Sequence, residues 1–535
     1  MRRWITDVAI SPAPTPPADA PLRDDEVEIL VTAEEAFPAF ERAVLAAEDR
    51  IVAGFRIFDF STRLRSPEAR AVGEDWFDLI LHVLRRGVAF QMILSDFDPV
   101  IGTELHGGTW RSLRAAVALR ELAGPEARLD VRASLHPATV GNLARLALWP
   151  SVNGMLSRRV SDVAKQGEAA MGRFMSRHPH LSELFVRAGA RLRPRRWPLP
   201  QLWPVTHHQK VAAIDGRVAY IGGLDLNDRR WDTRDHDRPA DETWHDVQTL
   251  ARHRLTAAAL ETHLKEFTDV ISGECPPSDL DGRILRTISA RPLHRPSLLA
   301  PEPILSEIEG ALHDAIGRAR HSIYVETQFL RDRRICKALA KAAQANPSLE
   351  LIVVLPAAPE DVAFFGATRS DARFGEYLQA ACIRKLRRAF RGRLFVGSPA
   401  RPVTAQTGGR STLHGAPIIY VHAKVCVVDD LFGLVGSANL NGRSLRWDTE
   451  VALPLHDPAA VATLRHRCIR HWWGDLAATH PDLTAVEGPV RTWQRLAMAD
   501  ARRRPEDRES LILPHLSGPA QRFGQDLPAV PDEMV

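Results

Sequence analysis

The chain has 535 residues, 45% of them apolar, enough for two domains or one large duplicated unit with a sizeable core. A net charge of +4 is weak for that length, so bulk charge points to no polyanionic partner. The five cysteines (Cys275, Cys336, Cys382, Cys426 and Cys468) are odd in number and lack C-x2-C spacing, which argues against a disulfide framework or a zinc site and fits a reducing compartment.

In chain order, residues 1–26 are expected to form a disordered N-terminal segment. It begins Arg2-Arg3, lacks the apolar stretch of a signal peptide, and carries Pro12, Pro14, Pro16 and Pro17. No stretch approaches the ~20 apolar residues of a membrane span. A lipid substrate would therefore be met from outside the bilayer, and the expected location is cytoplasmic with peripheral membrane contact. The first half, 27–275, opens with a strand at 27–32, a helix at 36–47, a strand at 50–60 and a helix at 68–86. That last helix carries Trp76, Leu79, Ile80 and Val83 at helical spacing, and a strand at 88–95 follows. The second half, 304–485, opens with a helix at 304–318, a strand at 322–326, a helix at 334–345 and a strand at 349–355. Strands alternating with helices predict a mixed, mostly parallel sheet in each half, covered by helices on both faces. A linker at 276–303, rich in Pro, Ser and Arg, separates the halves. A tail at 486–535 is expected to pack partly on the body and then fray.

The halves differ in length: Glu28 to His208 spans 180 residues, but Ile304 to His422 spans 118. The excess is assigned to an insert at about 132–203. It contains Leu143-Ala144-Arg145-Leu146-Ala147-Leu148-Trp149-Pro150 and, later, Arg193-Pro194-Arg195-Arg196-Trp197. A surface helix and lid is the first reading of this insert, and contact with a lipid interface is the second.

Within the halves two segments align without a gap. The first runs His208, Lys210, Asp215, Gly222, Gly223, Asp225, Leu226, Asn227, Arg229; the second runs His422, Lys424, Asp429, Gly436, Ser437, Asn439, Leu440, Asn441, Arg443. Neither chance nor core packing repeats polar residues in such a register, so a duplicated half-site is implied, with one histidine from each half meeting at a shared centre. In a strand, residues i and i+2 share a face, so each His-x-Lys presents both side chains together. Each motif then continues as an apolar run, a turn at Asp215 or Asp429, and a second apolar run, which predicts a hairpin.

The pattern H-x-K-x4-D followed by G-[GS]-x-[ND] resembles the phospholipase D superfamily. His207-His208-Gln209-Lys210 through Asp225, with Arg230-Trp231-Asp232-Thr233, is similar to the first active-site block of phospholipase D proper. Tyr324-Val325-Glu326-Thr327-Gln328-Phe329 resembles the strand that opens the second half of those enzymes. Gly436-Ser437-Ala438-Asn439-Leu440-Asn441-Gly442-Arg443-Ser444 and Glu450 resemble the second block. The resemblance spans roughly residues 27 to 475. It implies a duplicated phospholipase D fold with the active site between the halves.

The chemistry fits these residues. A phosphodiester resists attack, and its leaving alkoxide needs a proton. One histidine can attack phosphorus while the other protonates the departing oxygen. Spacing leaves open which one attacks; the resemblance implies His208 as nucleophile and His422 as general acid. Lys210, Lys424 and Asn439, with Ser437 and Gly223, are expected to bind the phosphoryl oxygens. Asp246 and Glu450 are the candidates for orienting the histidines. Asp215 and Asp429 complete the catalytic motif, although holding the turns suits them better. His466, Cys468 and His471 read as ordinary helix positions, and no cofactor and no metal are expected. Arg384, Lys385, Arg387, Arg388, Arg391 and Arg393 read as a solvated helix face.

Three functions remain open. The first is a phospholipase D that hydrolyses glycerophospholipids to phosphatidic acid and transfers phosphatidyl groups to alcohols. The others are a phosphatidyltransferase of the cardiolipin-synthase type and a nuclease. The weak charge and the acidic loop 228–246 disfavour nucleic acid. The expected partner is phospholipid at a membrane surface, and no oligomer is required to complete the site.

Overall fold

A computed structural model describes residues 22–188, 191–195, 197–291, 301–528 and 530–535. Two sheets form the body. The first has seven strands in the order Val27–Val31, Val247–Ala251, Val218–Gly222, Lys210–Ile214, Arg50–Phe55, Ala89–Ser95, Leu129–Ser134. The second has nine: Glu302–Ser306, Leu285–Ala290, Glu450–Leu455, Phe432–Gly436, Lys424–Val428, Ser322–Thr327, Glu350–Val354, Leu394–Pro399, Ile512–Pro514. Six consecutive strands match between the sheets in order and sense, so the duplication seen in the motifs extends through the folding unit. Both sheets are mixed. Parallel pairing is confined to Arg50–Phe55 with Ala89–Ser95 and Leu129–Ser134, and to their counterparts Ser322–Thr327, Glu350–Val354 and Leu394–Pro399. The other pairs are antiparallel, so "mostly parallel" is corrected. The hairpins bearing the His-x-Lys motifs and the strands that follow them run against their neighbours.

The burial of the strands explains the packing. Lys210–Ile214 and Lys424–Val428 are buried along their whole length, so both sheets are covered on both faces. One shared layer lies between the sheets. Val211, Ile221 and Val247 of the first meet Val425, Val435 and Val451 of the second, with Phe267, Leu464 and Trp472 from the Arg254–Ser272 and Pro458–Trp473 helices. The outer face of the first sheet is closed by Phe37 and Phe40 of the Thr32–Leu45 helix and Trp76 of the Trp76–Arg85 helix. Ile308, Ile335 and Ile383, from three helices, close the outer face of the second.

Several boundaries differ from the sequence reading. Residues 1–21 lie outside the described residues, but Leu22 is buried in the shared layer and Asp24–Glu26 forms a 3-10 turn, so 22–26 belongs to the fold. The 68–86 helix is two helices, Pro67–Arg70 and Trp76–Arg85, with Asp75 capping the second through Phe77 and Asp78 N–H. Linker 276–303 contributes strand Leu285–Ala290 and the start of Glu302–Ser306 to the second sheet; residues 292–300 are not described. The expected helix start at Ile304 is strand, and the helix is Glu307–Arg318. Ser134 ends a sheet strand, so the insert starts later than 132. The tail packs on the body as expected, and further than expected: Pro489–Arg502 is a helix whose Trp493 is fully buried, and Ile512–Pro514 adds an edge strand.

Candidate active site

The two halves are stitched together at the histidines themselves. His208 N–H donates to the Thr449 carbonyl at 2.8 Å, and Thr449 N–H donates back to Thr206 at 3.1 Å. In the pseudo-equivalent place, His245 N–H donates to Tyr420 at 2.8 Å, and His422 N–H donates to His245 at 2.7 Å. Each motif strand thus reaches the other half just before its His-x-Lys. The residue after each bridge is a carboxylate: Glu450 follows Thr449, and Asp246 follows His245.

This geometry crosses the carboxylates over. His208 Nδ1 lies 3.0 Å from Glu450 Oε2, and His422 Nδ1 lies 2.6 Å from Asp246 Oδ2. Each half supplies the orienting acid for the other half's histidine. A contact of 2.6 Å needs a proton between the atoms. With Nδ1–H donated to the acid, each Nε2 keeps its lone pair, and among the described residues neither Nε2 has a protein hydrogen-bond partner. Both rings are nearly sealed, His208 at 9% and His422 at 4% exposure. Burial, reinforced by Lys210, holds the His208 imidazole well below its ordinary range; burial, reinforced by Lys424, does the same for His422. Trp244 packs against the His422 ring with centroids 4.5 Å apart.

The lysines are buried beside them. Burial pushes Lys210 down to about 8 against the pull of Asp225, whose Oδ1 lies 4.0 Å from Nζ. Burial pushes Lys424 down to about 7 against the pull of Asp246. Both ammonium groups donate to the carbonyl of the histidine two residues back. Burial also raises Glu450 to about 8 against Lys210, and raises Asp246 against Lys424. Arg56 and Arg443 add positive potential at His208, and Arg230 at His422. The centre is therefore built to take an anion out of water. Asn439 donates through Nδ2 to Gln328 at 3.2 Å and leaves Oδ1 buried without a partner. Asp225 Oδ2 and Glu450 Oε1 are also buried without a hydrogen-bond partner, although Arg56 pairs with Asp225 Oδ2 at 3.7 Å.

Two of the expected site residues stand elsewhere, and two others lie against the orienting acids. Asp215 is not at the centre: its carboxylate accepts the N–H groups of Glu48, Asp49 and Arg50, each at 2.9 Å. Asp429 does the same for Arg320 at 2.8 Å and for His321 and Ser322 at 2.9 Å. Both sit in left-handed backbone, φ 52° and 51°, which aspartate tolerates in tight turns. Ser437 gives its hydroxyl to Glu450 at 2.5 Å, and its carbonyl lies 3.2 Å from His208 Nδ1, so it braces the orienting acid and the ring. Gly223 is small because a Cβ there would stand 2.4 Å from Asp246 Oδ1; the glycine makes room for the acid.

His207 and Glu326, quoted in the sequence motifs without a role, and Arg56, quoted in none, support the centre and its surroundings. His207 bridges Ser134 Oγ and Thr449 Oγ1, each at 3.0 Å, bracing the strand before His208. Glu326 accepts from His245 Nε2 at 2.7 Å and Trp472 Nε1 at 2.8 Å. Arg56 follows the Arg50–Phe55 strand at the edge that carries Lys210, and that placement is the signal that could have found it. His466 is exposed and Cys468 lies in the core, so the sequence triplet does not converge. Lys385, Arg387 and Arg388 are exposed on the Ser370–Phe390 helix. Among the described residues no helix is long and apolar enough to cross a membrane.

Comparison with known proteins follows the same lines. The family described as "Cardiolipin synthase, PLD-like domain" matches residues 312–472. Phospholipase D1 of Saccharomyces cerevisiae is 24% identical, over 50% of this chain and 21% of its own length. Phospholipase D beta 1 of Arabidopsis thaliana is 23% identical, over 49% of this chain and 35% of its own. Phospholipase D alpha 2 of Oryza sativa subsp. japonica is 24% identical, over 48% and 46%. This chain thus spans less than half the length of these relatives. Among solved structures, phosphatidylserine synthase of Haemophilus influenzae Rd KW20 aligns with a TM-score of 0.47 and 14% identity, over 84% of this chain and 88% of that one.

Proposed function

Because the chain belongs to the phospholipase D superfamily, we propose that it is a phospholipase D-type phosphodiesterase that cleaves glycerophospholipids to phosphatidic acid and a free headgroup. The observation that carries this reading is the crossed pair, His208 with Glu450 and His422 with Asp246, each with Nε2 free. His208 Nε2 attacks phosphorus, a P–N bond forms, and the P–O bond to the headgroup breaks. The headgroup oxygen takes the proton from His422 Nε2. The incoming phosphodiester anion favours the charged form of His422, and Asp246 stabilises that imidazolium. Water then attacks phosphorus, His422 removes its proton, and the P–N bond breaks. Lys210, Lys424 and Asn439 hold the phosphoryl oxygens while charge builds on them. An alcohol can replace water in the second step, which gives phosphatidyl transfer.

A second reading, a phosphatidyltransferase with a lipid alcohol as acceptor, is favoured by the description of the family matched over residues 312–472. Both readings share the phosphohistidine and differ in the acceptor. The test is product analysis by mass with mixed phospholipid vesicles, with and without 1-butanol. Phosphatidic acid that shifts to phosphatidylbutanol is the expected result. Cardiolipin formed from phosphatidylglycerol would select the second reading. Cleavage of a single-stranded oligonucleotide with no lipid product would overturn both.

A further inference from the structure

Three buried histidines converge away from the phosphate centre. His236 lies in the acidic loop of the first half, His245 precedes Asp246, and His471 lies on the Pro458–Trp473 helix of the second half. One nitrogen from each falls within 4.8 Å of the other two. The remaining contacts show which nitrogens these are. His236 Nδ1 is held by Asp232 Oδ2 at 2.6 Å, which leaves Nε2. His245 Nε2 is held by Glu326 Oε2 at 2.7 Å, which leaves Nδ1, buried and without a partner. His471 turns Nε2 toward His236 Nε2 at 2.9 Å.

Proton counting makes this cluster incomplete as hydrogen bonding alone. The two carboxylates take the ring protons of His236 and His245, so His236 Nε2 and His245 Nδ1 are both lone pairs. His471 can supply one N–H, which serves one acceptor and leaves the other without a protein donor among the described residues. A cation satisfies all three nitrogens together. Ring nitrogens at about 2.0–2.1 Å from a tetrahedral zinc stand about 3.3 Å from one another, inside the 2.9 to 4.8 Å range found here. Carboxylates on the far nitrogens are the usual support of histidine ligands, fixing tautomer and ring direction. Access exists as well: His471 borders a surface cleft of about 530 Å³ with Glu34, Arg234 and Asp235 on its walls.

We propose that His236 Nε2, His245 Nδ1 and His471 Nε2 bind a divalent cation of the zinc type, with water from the cleft as fourth ligand. The proposal departs from the expectation, drawn from the sequence, that the chain binds no metal. The ligands come from both halves. The ion would clip the 228–246 loop onto the last helix of the second half, one residue from the acid that orients His422. It takes no part in the phosphodiester step, and the proposal stands apart from the choice of substrate.

The experiment uses the full chain without a histidine tag, stripped with a chelator and still folded by circular dichroism. Zinc uptake is followed by calorimetry and thermal unfolding, and cobalt uptake by its visible absorption. Expected are one ion per chain, a raised thermal midpoint, and the intense visible bands of a tetrahedral nitrogen-rich cobalt site. His471→Gln should abolish binding, Glu326→Gln should weaken it about 10–100-fold, and His466→Gln should leave it unchanged. If His471→Gln does not fold, the wild-type titration and Glu326→Gln decide. A folded, stripped wild-type chain that takes up neither zinc nor cobalt overturns the proposal, and so does binding that Glu326→Gln leaves intact.

Discussion

His208 and His422 each set Nδ1 against a buried acid and keep Nε2 open; they differ in the second neighbour of Nδ1, the Ser437 carbonyl at 3.2 Å for His208 and Lys424 Nζ at 2.9 Å for His422. Their proposed roles separate under mutation. His208→Ala removes the only group proposed to form the phosphoenzyme, so labelled enzyme should not accumulate and turnover should vanish. His422→Ala removes the proton donor and should slow turnover by about 10²–10⁴-fold, the range of general acid catalysis. Circular dichroism should show both variants folded, and wild-type rates in either would refute the two-histidine centre. The pH profile tests the lysines. The His208 ring is held well below 6.5, so the nucleophile is already neutral at pH 6.5 and the acid limb of kcat/KM lies below that. Lys210 is pushed down to about 8, so its ammonium, and the pull on the phosphate, are lost as pH rises through that value. Lys424, pushed down to about 7, loses its charge first, so the alkaline limb should begin to fall from about pH 7 and steepen through about pH 8. A kcat/KM that stays level to about pH 10, the ordinary lysine range, would mean that Lys210 does not act as a cation.

At the scale of elements, the His-x-Lys hairpins are held at their far ends by aspartates. Burial works against the charged form of Asp215, but three N–H donors outweigh it and hold the carboxyl below its usual range. The bonds reach back to Glu48, Asp49 and Arg50 and pin the start of the Arg50–Phe55 strand against its neighbour. Asp429 pins the Ser322–Thr327 strand in the same way, but more deeply buried, with Ser322 N–H out of reach of water. Asp215→Ala should cost about 1–2 kcal/mol and Asp429→Ala about 2–3 kcal/mol, since orphaned buried donors lose more than exposed ones. Urea unfolding measures both. Chain-normalised kcat should not change, which separates this role from a catalytic one. The hairpins were legible because alternating His-x-Lys, β-branched runs and an Asp turn are local patterns. The Glu302–Ser306 strand was not: five residues leading directly into a helix carry no period long enough to separate the two.

At the scale of the molecule, two clefts of about 980 and 1060 Å³ border the insert and include neither histidine of the pair. One, of about 1060 Å³, is lined by Leu143, Leu146 and Trp197 with Arg145 and Arg195. Leu143 and Trp197 are 69% and 77% exposed. Apolar side chains left in water beside arginines suit a bilayer surface. Replacing Leu143, Leu146 and Trp197 together by Ser should raise the vesicle concentration for half-maximal rate roughly tenfold, equivalent to about 1.4 kcal/mol. Rates on a monomeric short-chain phospholipid should not move. An equal loss on both substrates would show that the insert shapes the active site instead of the membrane contact.

The sequence by itself determined the duplication, the two His-x-Lys pairs and the list of acids from which the orienting carboxylates come, because each is a local pattern repeated in register. Only the tertiary structure decided the pairings. Glu450 is 242 residues from His208 and Asp246 is 176 from His422, and no spacing rule links residues so far apart. The crossing arises because each half's strand bridges to the other half one residue before its acid. The same bridging brings His245 and His236 to His471, which is 235 residues from His236. It also sets Ser437 and Gly223 against the acids. Such roles depend on which group fills the space beside a side chain, and the packing of the two sheets sets that.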